Sequence, residues 1–290
     1  MRVLITGAKG QLGVELTRVL TGSTEVIGHD LPTHDIAATA YIAAVSAAKP
    51  DWVIHTAAVT DVDGCERDPT RAMAVNAEGA RRVAEGCREA GAGMVYLSTD
   101  FVFDGLKTSP YREDDTPAPL SAYGRSKLAG ELAVREVAPR WAIVRTAWLY
   151  GAYGKNFVKT ILAKAAARER LRVVSDQVGS PTYARDLAAA LVRLVRRDLR
   201  GVFHLTNSGA CSWYDFTREI LRQGGFGGTP VTAITSQELA RPARRPAFSV
   251  LANTAWAAAG EGCLRPWPEA LADMLRTWRE ADPAFPAPLR

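Results

Sequence analysis

With 290 residues, 47% of them hydrophobic, the chain is long enough to build one large α/β domain or two modest ones around a sizeable core. A formal charge of +5 comes mainly from arginines scattered along presumed helices (Arg81, Arg82, Arg193, Arg196, Arg197). Because no nucleic-acid-reading module accompanies it, the charge argues against nucleic acid as partner and is compatible with an anionic small substrate.

Arg2 to Leu20 places an apolar strand directly before Gly7, Gly10 and Gly13, then a helix with Leu12, Leu16, Val19 and Leu20 at helical spacing. Glycines in such a turn let the backbone approach a pyrophosphate, whose charge meets the free N–H groups and dipole at the helix start. The second strand, EVIGHD, ends at Asp30. That is roughly 20 residues beyond the glycine turn, where an acid accepts hydrogen bonds from an adenosine ribose and favours NAD over NADP. Asp35 and Ile36 supply a second contact near the adenine. DWVIH reads as a third buried strand, followed by Ala57 and Ala58, small enough for a cofactor to lie across the strand end. Asn76, further on, is expected to organise backbone near the sheet rather than to touch substrate.

MVYLS is a fourth buried strand, which puts Thr99 and Asp100 at its carboxyl end, where open parallel sheets bind their ligands. SAYGRSKLAGELAVREV reads as a helix opening at Ser121, so Tyr123 and Lys127, four apart, project from one face. A phenol with a pKa of about 10 is a poor proton donor at pH 7, and a neighbouring ammonium favours its ionised form. Such a pair is suited to passing one proton. A fifth strand, RWAIVRTAWLYG, carries Trp148 to the same edge. Five strands alternating with helices predict an α/β fold: a Rossmann-type, doubly wound parallel sheet over residues 1–150 that binds NAD(P).

From about Gly151 the pattern loosens. KNFVKTILAKAAARER is a helix, and LRVVSDQVGSPTYARDLAAALVRLVRR is a strand, a loop and a helix with which the chain re-enters the first domain around 171–200. GVFHLTN, SWYDFTREILRQGG and ARPARRPAFSVLAN read as a smaller C-terminal substrate-binding subdomain, mainly 151–290. WPEALADMLRTWREA closes it as an amphipathic helix, and the tail, 282–290, is expected to be flexible. Cys65, Cys87, Cys211 and Cys263 show no paired spacing and no metal-ligand rhythm with His29, His34, His55 and His204, so they read as reduced thiols of a cytoplasmic protein. No run approaches 18 apolar residues, and the first is ended by Gly7, which argues against a membrane span and a signal peptide.

The phrases TGAKGQLG, STDFVFDG, PLSAYGRSKLAGE, VRTAWLYG, KNFVKTIL, VVSDQVGSPT, GVFHLTNSG and ARRPAFSVL run in order from residue 1 to about 255. Through them the chain resembles the dTDP-4-dehydrorhamnose reductases of the extended short-chain dehydrogenase/reductase superfamily. The resemblance implies reduction of the C4 ketone of dTDP-4-dehydro-L-rhamnose by NADH and/or NADPH. It implies that Tyr123 donates the proton, that Lys127 tunes it and holds the nicotinamide ribose, and that Thr99 adjusts the phenol while contacting the sugar. Substrate contacts are implied for Asp100 and Trp148, and cofactor contacts for Gly10, Gln11, Leu12, Asp30, Asp35, Ile36, Ala58, Val59 and Thr60 beside Gly7. Arg244 and Arg245 are assigned to the nucleotide diphosphate because guanidinium suits phosphate oxygens. Some members dimerise through an acid-lined magnesium site. Here Glu15 falls where one acid would be but Arg185 where another would align, so no metal is expected and a homodimer is left open.

Three other readings compete. A superfamily dehydratase looks for an acid after Thr-Asp, where this chain has Phe101. An epimerase of the GDP-fucose-synthase type uses a Cys/His pair beside the tyrosine, and no cysteine lies near Thr99 or Tyr123 in sequence. A non-catalytic nucleotide-binding regulatory subunit, similar to the methionine adenosyltransferase beta subunit, gives no reason to keep Thr99, Tyr123 and Lys127 together.

Overall fold

In a computed structural model of the chain, which describes residues 1–283 and 285–286, the apolar runs of the amino-terminal half become strands of one sheet. Its members are β1 (Arg2–Thr6), β2 (Glu25–His29), β3 (Trp52–His55), β4 (Gly93–Thr99), β5 (Arg140–Thr146) and β6 (Gly201–His204). They pair in the order β2-β1-β3-β4-β5-β6, every pair parallel. Strands β3 and β4 are buried along their whole length, as continuous apolar runs must be when helices cover both faces. The helices α1 (Gln11–Leu20) and Ala184–Arg196 pack on one face, joined by Trp256; α2 (Tyr41–Ala48) and the helices that follow it pack on the other. The order turns back at β1, so the crevice between the ends of β1 and β3 is the switch point at which such sheets take a ligand.

After β3 come α3 (Val62–Arg67) and α4 (Pro69–Met73), the latter running through a π-helical turn, Ala74–Gly79, into α5 (Ala80–Ala90). Such wide turns concentrate at functional sites, and this one carries Asn76. The helix expected at Ser121 is α6 (Ala122–Val137), its Ser121 hydroxyl capping the first turn by accepting from the Gly124 amide at 3.1 Å.

The carboxyl-terminal half departs from the expected boundaries in two places. GVFH belongs to the main sheet, as β6 beside β5. The strand Leu171–Val174, expected to return to the sheet, instead pairs with Val231–Ile234 in a separate two-stranded sheet. Exposed Arg172 between buried neighbours suits a sheet with one wet face, not the interior of a doubly covered one. The chain returns with helix Ala184–Arg196 and then β6. The second lobe has its own core, in which Phe216 meets Tyr150, Phe157, Trp213 and Trp267 at ring distances of 5.5–6.2 Å. Of the expected tail, Phe285 packs against Trp278 at 4.7 Å, while residues 284 and 287–290 lie outside the described residues. No described helix is long and apolar enough to cross a membrane.

The turn from β1 to α1 depends on two glycines for different reasons. Gly7 has φ +70°, a left-handed conformation, and a Cβ there would lie 2.9 Å from the Ala57 nitrogen. A Cβ on Gly13 would lie 2.2 Å from the Gly7 carbonyl oxygen. Both obstacles are backbone and do not swing away. Gly13→Ala is therefore expected to push α1 off the sheet and cost about 1–3 kcal/mol, the range for overpacking, read as a lower urea midpoint together with weaker dinucleotide binding. An unchanged midpoint would show that the turn has slack.

Candidate active site

The residues singled out in sequence converge on the carboxyl ends of β1 to β5. Gly10 starts α1 with no side chain capping it, so the first amides, around Gln11 and Leu12, are free to meet an anion. Gln11 Nε2 donates to the Leu149 carbonyl at 3.3 Å, tying this helix start to the chain segment that leads into the second lobe. Asp30 stands directly after β2, where one carboxylate oxygen accepts from the Lys9 amide at 2.7 Å and the other from the Leu31 amide at 2.8 Å. A carboxylate has about four lone-pair sites, which leaves two for a ribose diol. Lys9 reaches the Leu31 carbonyl with its ammonium at 3.0 Å, a cation beside the same acid. Asp35 is exposed and caps the Ala37 amide at 2.9 Å, and Ile36 is buried against Gly79. Ala58, Val59 and Thr60 form the segment after β3. Asn76 grips Val59 from both sides, its Oδ1 accepting from the amide at 2.8 Å and its Nδ2 donating to the carbonyl at 3.0 Å. Asn76 thus organises backbone, as its place in sequence predicts. A dinucleotide fits these groups: an uncapped helix start, a turn where no Cβ is tolerated, and an acid at the next strand end.

Thr99 and Asp100 are buried at the end of β4, the Thr99 hydroxyl donating to Asp100 Oδ1 at 3.0 Å. Burial pushes the Asp100 carboxyl up to about 6, against the hydroxyls of Ser249 and Thr99, which pull it down. An acid raised in the folded state is least costly when protonated, so its favourable contribution is full below about pH 4 and disappears as pH rises through about 6. Asp100→Asn is therefore expected to unfold at a higher temperature than the parent at pH 8, the gap closing by pH 4. A gap independent of pH would mean that the carboxyl does not titrate in this range.

Tyr123 lies half-buried on α6, edge-on to Phe101 at 5.7 Å. Desolvation holds its phenol above the ordinary value; a hydrogen bond with Thr99 works the other way, and the charge of Asp100 adds to the rise. The expected acidification by Lys127 is absent from these causes. Lys127 is itself buried, and desolvation brings it down to about 7, with Glu131 opposing. Its ammonium stands 4.1 Å from the ring centroid of Tyr96. Loss of water outweighs the charge pairing that the four-residue spacing brings to mind. The phenol, protonated at neutral pH in any case, is thus a weaker acid than an ordinary tyrosine, not the acidified one the spacing predicts.

Trp148 follows β5 with φ +46°, a strained conformation for a bulky residue. The surroundings hold it there: Trp213 stacks on its indole at 3.6 Å with planes 8° apart, and a Cβ on Gly179 would strike that indole at 2.5 Å. Arg245 is brought near the same edge but is engaged. Asp63 of α3 accepts from Arg245 at 3.1 Å, from Arg241 at 3.0 Å and from the Ala243 amide at 3.2 Å. The arginine therefore clasps its own loop to the first domain, whereas Arg244 is exposed. Trp213, Asp63, Tyr96 and the pair Glu131–Arg145 are site-building residues that the sequence reading passed over. Each acts through a contact with a residue distant in the chain, which no spacing announces.

Glu15 is buried, and Arg185 Nε lies 3.5 Å from its carboxylate. Desolvation raises this acid, with Arg185 as the chief opposing charge. Among the described residues no group of three or more His, Cys, Asp or Glu is placed to hold a metal ion.

A family model described as the RmlD substrate binding domain matches residues 1–280. A dTDP-4-dehydrorhamnose reductase of Streptomyces griseus is 44% identical over 94% of this chain and 92% of its own. The crystal structure of a dTDP-4-dehydrorhamnose reductase from Clostridium acetobutylicum superposes with a TM-score of 0.93 at 42% identity, covering 96% of this chain and all of the other. A dTDP-4-dehydrorhamnose reductase from Bacillus anthracis, solved in complex with NADP, gives 0.91 at 38% identity, covering 95% and 99%.

Proposed function

The chain belongs to the RmlD substrate binding domain family, and from that premise we propose that it is an oxidoreductase using NADPH or NADH to reduce the C4 ketone of dTDP-4-dehydro-L-rhamnose. The observation that carries this reading is the placing of the Tyr123 phenol with Thr99 and Asp100 at the end of β4, in a sheet whose first strand leads into an uncapped glycine turn.

The reduced nicotinamide, when bound, supplies the hydride. The amides of Gln11 and Leu12 would hold the pyrophosphate where the Gly7–Gly10 turn lets it approach, Asp30 would take the adenosine ribose, and Asp35, Ile36 and Ala58 to Thr60 would flank the rest of the dinucleotide. Lys127 would hold the nicotinamide ribose. As negative charge grows on the ketone oxygen, Tyr123 transfers its phenolic proton there, and the Thr99 hydroxyl, swinging its hydrogen from Asp100 to the phenolate left behind, stabilises that charge. Asp100 and Trp148 orient the sugar. The diphosphate falls to Arg244, which is exposed and unengaged by Asp63, more readily than to Arg245.

The test is the loss of NADPH absorbance when purified protein meets dTDP-4-dehydro-L-rhamnose, with dTDP-4-keto-6-deoxy-D-glucose and the same ketosugar on another nucleotide as parallel arms. Fastest turnover with the first supports the proposal. Binding of NADPH without oxidation in any arm would favour the non-catalytic regulatory reading instead.

A further inference from the structure

Resting on that reading, we propose that the buried ring face of Tyr96 is the seat of the Lys127 ammonium, which makes Tyr96 a positioning residue for the Tyr123–Lys127 pair. The ammonium stands 4.1 Å from the ring centroid, inside the range at which the negative face of an aromatic ring attracts a cation. Tyr96 has no freedom to turn away. It is fully buried in β4, and its hydroxyl lies 3.0 Å from the Asn76 carbonyl of the π-helical turn and 3.3 Å from the Lys127 carbonyl of α6. α6 approaches closely enough that a Cβ on Gly130 would lie 2.2 Å from that hydroxyl.

Two groups support the charge of Lys127 against burial: the carboxylate of Glu131 and the ring face. Glu131, on the same helix, has both oxygens taken by Arg145 of β5 at 2.9 and 2.8 Å and accepts also from Ser98 at 2.6 Å. Its charge is shared with Arg145 but still favours the charged amine. His55 of β3 stacks on the Tyr96 ring at 5.7 Å and shares a hydrogen bond with Thr6; burial, with the nearby Lys127 charge, brings its imidazole down to about 3, so it is neutral at working pH. Tyr123, on α6 itself, is a neutral phenol. Against the desolvation that draws the Lys127 proton off, the Tyr96 face adds to Glu131 in keeping the amine charged where the nicotinamide ribose and the phenol need a cation.

The experiment compares the full chain with Tyr96→Phe, Tyr96→Leu, and a series carrying one to three ring fluorines on phenylalanine at position 96, which weakens the ring face while keeping its shape. The Lys127 midpoint is read by NMR of its ε-carbon without cofactor, and the alkaline limb of kcat against pH is read in parallel. Tyr96→Phe is expected to keep both near the parent values. Tyr96→Leu is expected to lower both by about one unit, a tenfold smaller charged fraction above the midpoint, and the fluorines to lower them stepwise. A midpoint indifferent to fluorination, or Tyr96→Phe falling as far as Tyr96→Leu, would overturn the proposal. The fluorinated series keeps the test open should Tyr96→Leu fail to fold. Because the NMR midpoint needs no turnover, a parent protein inactive on every ketosugar would count against the proposed reaction alone.

Discussion

Tyr123→Phe is expected to retain NADPH affinity and to lose roughly 10²- to 10⁴-fold in kcat, the contribution of one positioned acid or base. The loss follows from what the substitution leaves in place. The phenyl ring still packs against Phe101 and the cluster of Cys65, Ala72 and Ala122, so the fold and the dinucleotide turn are unaffected, and only the transferable proton is removed. Since the phenol is held above its ordinary value, it donates readily only after the oxygen it faces has gained charge. The loss should therefore fall on kcat and kcat/KM together, the sign of an interaction made in the transition state. A variant that raised KM alone would assign Tyr123 to binding, and a fully active one would remove it from the reaction.

The strands that bear the site were legible because they are extreme cases. DWVIH and MVYLS are short and apolar without alternation, as strands of a sheet covered on both faces are, and the glycines after β1 signal a turn by what they lack. Thr99, Asp100, Tyr123 and Trp148 could then be placed at one edge by counting from those strands. The second half was less legible because its strands are as short as two residues and are held by partners far away in the chain. GVFH carries no mark that assigns it to β5 rather than to a small local sheet. The electrostatics were legible only in part: the four-residue spacing puts Tyr123 and Lys127 on one helix, but the degree of burial, which decides both protonation states, depends on Tyr96, His55 and the packing of β3 and β4. Arg245 shows the same limit, since its suitability for phosphate was readable and its engagement by Asp63 was not.

Arg145→Ala is expected to be the most destabilising single change near the site, costing about 3–5 kcal/mol, because it leaves a buried carboxylate without its counter-charge. Arg145 and Glu131 are each nearly inaccessible, at 2% and 1% exposure, and meet in a bidentate pair of 2.9 and 2.8 Å that joins β5 to α6. Ser98 donates to the same carboxylate at 2.6 Å, and Thr99 is the next residue, so the pair fixes the strand end that presents Thr99 and Asp100 relative to the helix that presents Tyr123. Net attraction within a buried pair is small once desolvation is counted. Replacing both partners, as Glu131→Leu with Arg145→Met, should thus recover much of the stability lost by either single change, although Ser98 loses its acceptor. The double variant should still turn over more slowly, because apolar packing restores the core without restoring the register between β4 and α6. Urea unfolding of the two single variants and the double one measures the coupling. Single-variant losses below about 1 kcal/mol, the level of exposed ion pairs, would mean that water reaches the pair and that something else sets the geometry of the strand end.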